Sequence, residues 1–96
     1  MNRASFTGYI TEVSEPISFR KDDQTHSYRR LLINLCDPDN FSKSSVTLAV
    51  NDWHSHDIPA PGTLVDFSIS IFSGQNKNNP DIYFHKLNLF SIQPIQ

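Results

Sequence analysis

His54 and His56, one residue apart and followed by Asp57, are the first grouping in this 96-residue chain that raises metal chemistry. A structural zinc site wants four ligands in fixed geometry, and this short stretch supplies too few. His26 and the single cysteine, Cys36, lie far away in sequence, and nothing in the pattern brings them to the pair. The segment therefore reads as a polar loop with no metal. Cys36 stands beside Asp37, whose negative charge raises a thiol pKa, so it reads as inert rather than nucleophilic. The sequence contains no Gly-x-Ser-x-Gly, phosphate loop or His-Glu-x-x-His. The expectation is a non-catalytic protein that needs no cofactor.

The remaining chemistry belongs to cations and aromatic rings. Basic residues concentrate at Arg20-Lys21 and Arg29-Arg30, with lysines also at positions 43, 77 and 86. Acidic residues gather at Glu12/Glu15, Asp22/Asp23, Asp37/Asp39 and Asp52/Asp57, and the formal net charge is -2. That balance counts against a strongly basic nucleic-acid binder, because phosphate contacts rely on clustered Lys and Arg. Distribution matters more than the sum, and a local positive face is compatible with it.

The elements that must position these groups are strands. Val65, Phe67, Ile69 and Ile71 alternate with Asp66, Ser68 and Ser70, as a side-chain period of two requires. Pro61-Gly62 turns into this strand, and the polar stretch Gly74–Asp81 joins it to a last apolar run from Ile82 to about Ile95, making a long hairpin. At the other end, Ala4 to Val13 forms a first strand in which Phe6, Gly8 and Ile10 share a face. Val13 has the opposite phase, which predicts a bulge or bend near Thr11-Glu12. Gly8 within that strand fits a close approach of another backbone.

Ile17 to Ser27 reads as a loop or flexible hairpin. A second strand, Tyr28 to Leu35, turns Leu31, Ile33 and Leu35 inward and Tyr28, Arg30, Leu32 and Asn34 outward. A third, Ser44 to Asn51, turns Val46, Leu48 and Val50 inward and Ser45, Thr47 and Ala49 outward. The connection from Asn51 to Pro61 has room for one helical turn, which Asp52 would cap. No helical period fills a longer window. In the last strand Leu87 and Leu89 have one phase and Phe90 and Ile92 the other, so it too should bend. Five strands in a chain this short would leave apolar edges unless the sheet closes, so the fold class is an all-β, five-stranded Greek-key barrel.

Length allows one domain, 1–96, with a modest core that a homodimer would extend. No apolar run reaches the roughly 20 residues of a membrane-spanning helix, and the N-terminal residues lack the apolar stretch of a signal peptide. One cysteine forms no internal disulfide, so the expected setting is the reducing cytoplasm.

Phe6-Thr-Gly8-Tyr-Ile10, the outward Tyr28/Arg30 strand, and Pro61-Gly62-Thr-Leu-Val65 leading into a polar-tipped hairpin together resemble an OB-fold single-stranded-DNA-binding protein. The layout is similar to small single-strand-binding, primosomal and filamentous-phage DNA-binding proteins, and it covers nearly the whole chain. Such proteins combine a positive groove along the backbone with aromatic faces on which bases stack. The resemblance implies that the groove lies on the outer face of the second and third strands and the flanking loops. That face would hold Tyr28, Arg30 and Thr47; the first loop would add Arg20, Lys21 and His26; the late hairpin would add Lys77; Tyr83 and Lys86 would border it.

Two of these assignments have ordinary alternatives: Tyr28 as a half-buried barrel residue, and Arg20-Lys21 beside Asp22-Asp23 as a solvated loop. Trp53, tempting as a stacking platform, is expected instead to plug the barrel end. Phe72 falls on the polar face of its strand, where it would meet a second subunit or a base. The resemblance thus implies sequence-independent binding of single-stranded DNA (or RNA) by a homodimer. Because the sequence stops after the last strand at Ile92-Gln-Pro-Ile95-Gln96, recruitment of partners by an acidic tail is not expected. The competing expectation is a protein-interaction module or complex subunit of the same fold.

Overall fold

A computed structural model describes residues 2–95; the terminal Met1 and Gln96, which bound the leader and tail expectations, lie outside them. Six strands follow in order: β1 (Asn2–Val13), β2 (Ile17–Lys21), β3 (Gln24–Cys36), β4 (Lys43–Asp52), β5 (Leu64–Gln75) and β6 (Tyr83–Pro94). The sheet runs β1-β5-β6-β4-β3-β2, and an additional β1–β3 pairing closes the five longer strands into a ring. Every pairing is antiparallel except β4 with β6, which meet in parallel at Asn51 and Asn88. Among the described residues no helix is long and apolar enough to cross a membrane.

Closure depends on β1 serving both sides of the ring. Residues 2–9 pair with β5 and residues 8–13 pair with β3. The changeover needs a sharp coil, and two sequence features supply it. A register shift between Ile10 and Glu12 leaves Thr11 as the extra residue, where the phase slip placed a bulge. Gly8 lies so close to β3 that an added Cβ would stand 2.6 Å from the Asn34 carbonyl oxygen. At the ring's end Gly62, at φ 93°, turns the chain so that its amide donates to the Ile10 carbonyl at 2.6 Å.

The core follows the alternation. Ile10, Leu31, Ile33, Val50, Val65, Phe67, Ile69 and Leu89 are buried together, and Phe6 packs its ring 5.8 Å from that of Phe67. β6 bends where expected, its register against β5 shifting between Ser68 and Ile69 so that Phe90 is the residue passed over.

Four expectations need correction. The sheet has six strands rather than five: of the two readings of Ile17 to Ser27, loop or hairpin, the hairpin holds, with Ile17–Lys21 folding back on β3 through Asp22-Asp23, both at positive φ. Val46 is exposed rather than inward, because β6 reaches β4 only at Asn51 and leaves the first half of β4 uncovered. Ser70 is buried rather than outward: it lies in register between Arg3 of β1 and Asn88 of β6, whose longer side chains cover it. No helical turn follows Asn51; Asp52 orders an irregular connection instead.

Candidate functional site

Strand β2 builds one wall of a groove that the ring alone would lack. Its register sets Ile17 opposite Tyr28 and Phe19 opposite His26, so these four side chains share a face with Arg30 further along β3. β4 continues that face, pairing Arg30 with Asn51 and Leu32 with Ala49. His85, Lys86 and Leu87 of β6 form the far wall. The open groove so formed has a volume of about 800 Å³.

Its floor is aromatic. The Trp53 ring stacks on Tyr28 with centroids 4.5 Å apart and planes at 29°, and meets Phe19 edge-on at 5.8 Å. Phe19 in turn stacks on His26 at 5.6 Å. Trp53 is 37% exposed and Phe19 38%, so both rings present area to solvent. The expectation that Trp53 plugs the barrel end is therefore overturned. The reason is legible in the strand: Leu48 and Val50 point inward, the period of two carries Asp52 inward as well, and Trp53 must then point out.

Asp52 fixes that geometry. Its side chain is wholly buried and accepts from four directions. The amides of His54 and His56 donate to it at 3.2 and 3.0 Å, and the Arg29 guanidinium reaches it at 3.3 Å. The His56 ring meets it at 2.7 Å through Nδ1, while Nε2 donates to the Phe90 carbonyl at 3.0 Å. Burial pushes the Asp52 carboxyl up, but the hydrogen bonds from the His56 ring and His54 amide, with the nearby positive charge, outweigh it and hold the pKa below the ordinary value. Trp53 thus projects from an anchored carboxylate, and its Nε1 donates to the Asn88 side chain at 3.0 Å. The segment is the polar loop expected, and within it the His56 ring and the His54 and His56 amides hold the Asp52 carboxylate. Among the described residues no three His, Cys, Asp or Glu side chains converge on one point.

The structure brings together some of the expected residues. Tyr28, Arg30 and Lys86 line the groove. Lys21 and His26 share its face by register. Arg20 points the other way, donating to the Asp23 carbonyl at 3.3 Å. Thr47 lies further along the same face of β4, opposite Asn34, and does not line the groove. Lys77, in the tip of the β5–β6 hairpin, and Tyr83 at its base also fall outside the lining. Sequence reasoning missed Phe19, placed in a loop, and Asn51.

Charge is segregated. No acidic side chain lines the groove, where Arg30 and Lys86 stand. A separate recess of about 570 Å³ holds Asp66 and Cys36 and no cation. There burial, with Asp37 and Asp66 nearby, pushes the Cys36 thiol up. The overall acidity of the chain therefore does not describe the aromatic face. No family model matches the chain, and no curated protein matches it in sequence.

Proposed function

We propose that this protein is an OB-fold module that binds single-stranded nucleic acid, DNA in the first instance, largely without regard to sequence. The observation that carries the reading is the Phe19–Tyr28–Trp53 cluster, with the Phe19 and Trp53 rings exposed, lining the same groove as Arg30 and Lys86 with no acidic side chain in that lining. Stacking is indifferent to base identity because every base has a π-face, and Arg30 and Lys86 would meet the phosphates on either side. The OB assignment is supported by the order in which the ring closes and by its parallel β4–β6 contact. It is supported further by the groove's place on the outer face of the second and third strands of that ring. Asn51 offers an amide beside Arg30, whose Nε donates to its Oδ1 at 3.4 Å.

The test is a titration of labelled oligo-dT into the protein at about 50 and about 200 mM salt, with duplex DNA as the comparison. Affinity for the single strand should exceed that for the duplex and fall steeply with salt, as counterions return to the phosphates. No binding at the lower salt would reject the reading and leave a protein-docking face as the better account of the same aromatic surface.

A further inference from the structure

Trp53 belongs to two recesses. One side of the connection that carries it faces the groove described above; on the other lies a recess of about 360 Å³ formed by β1, β5 and β6. Arg3, Phe72, Phe90 and His54 line this second recess, and Asn88, which holds the Trp53 indole, lies on its floor.

The chemistry repeats that of the first groove. The Arg3 guanidinium carbon sits 3.7 Å above the Phe90 ring centroid, so a flat cation covers an aromatic face and keeps its own outer face open. Phe72 and Phe90 are 39% and 47% exposed; the β5 face that carries Phe72 also bears Asp66, Ser68 and Ser70, of which only Ser70 lines this recess. Register sets Phe72 directly opposite Lys86, the cation that also borders the first groove. No acidic side chain lines the recess, and among the described residues Arg3 forms no ion pair.

We infer that Arg3, Phe72 and Phe90 form a second subsite for the same nucleic-acid strand, entered past Trp53, which stands as the junction between the two. The inference rests on the proposed function and extends it to a path across β6 onto β5 and β1. A polyanion is the occupant that fits this charge pattern. A two-fold contact between copies of the chain would set the same cation-bearing patch against itself, with no carboxylate in its lining to offset the charge.

The test is a length series of labelled oligo-dT, from the shortest that binds to one several times longer, measured on the full chain and on Arg3→Ala/Phe72→Ala. Both positions are exposed, so the fold should survive, and far-UV circular dichroism checks it; Arg3→Glu alone supplies a second variant that removes no ring. Losing one stacking contact and one phosphate contact should weaken the long oligonucleotide by about tenfold or more, and the shortest by less than about twofold. Equal losses at both lengths, or no loss at either, would overturn the subsite. So would a variant that changes only the protein's mass in sedimentation, since the face would then be covered by a second copy. Binding that depends on Tyr28 and Arg30 but not on Arg3 and Phe72 removes the subsite and keeps the proposed function. Failure of the unaltered chain to bind any oligonucleotide removes both.

Discussion

The Trp53 indole lies parallel to the Tyr28 ring within 29°, at 4.5 Å between centroids, although the two residues arrive from different strands. Tyr28 is carried by β3, and Trp53 follows the last residue of β4; the Arg29–Asp52 pairing beside them fixes the register at which they meet. A stacked pair of this kind is already ordered before a ligand comes, so a base added to it costs little further side-chain freedom.

Replacing Trp53 with alanine should therefore weaken oligo-dT binding by about 1–3 kcal/mol, roughly five- to 150-fold, while Trp53→Phe should recover part of the loss. Fluorescence anisotropy of a labelled oligonucleotide measures it. The alanine variant should also melt lower, because the ring is only 37% exposed and is held by Tyr28, Phe19 and Asn88, so affinities are compared at a temperature where both chains are folded.

Arg30→Ala is expected to act through charge. The slope of log affinity against log salt should become shallower by about 0.7, the share of one phosphate contact on a single strand. Lys86→Ala should do the same. Arg20→Ala, pointing away and bound to the Asp23 carbonyl, should leave the slope unchanged.

Asp52→Ala should lower stability by about 2–3 kcal/mol, less than a fully buried ion pair would cost, because the Arg29 side chain stays 31% exposed. The pH dependence has a definite sign. The folded carboxyl titrates below its unfolded value of about 3.9, so its contribution is complete above about pH 4 and is lost as pH falls through the folded value. Denaturant melts of the unaltered chain and Asp52→Asn should converge as acid is added below about pH 4.

Gly8→Ala places a Cβ 2.6 Å from the Asn34 carbonyl oxygen and 2.8 Å from Ile33 Cγ2. Backbone on one side leaves nothing flexible to give way, so β1 and β3 must part. A destabilisation of about 1–3 kcal/mol is expected, and each kcal/mol should lower the melting temperature by about 4–8 °C in a domain of this size.

Much of this was legible in the residues. The inward sets of β1, β3 and β5, the bulge at Thr11, the bend at Phe90 and the close approach at Gly8 all follow from a period of two and its interruptions. What the pattern hid depends on neighbours. Ile17–Lys21 alternates too briefly to declare itself, and it becomes a strand only because β3 extends back to Gln24 and pairs with it. Val46 has the right phase for the core but no β6 above it. Trp53 was discoverable from parity alone, since Asp52 continues the inward phase of Val50. A carboxylate in that phase looks wrong until His54, His56 and Arg29 are seen to satisfy it. The pairing of Phe19 with Trp53 crosses 34 residues and rests on three strand registers, which no local pattern contains.

Trp53 is the chain's single tryptophan, so its fluorescence reports on the Tyr28 stack and the two recesses it borders. Titration with oligo-dT at low salt should quench that emission saturably, in step with the anisotropy of the labelled oligonucleotide, and added salt should reverse both signals. Oligonucleotide that binds with the tryptophan emission unchanged, or does not bind, would contradict the placement of single-stranded nucleic acid on the Tyr28–Trp53 platform.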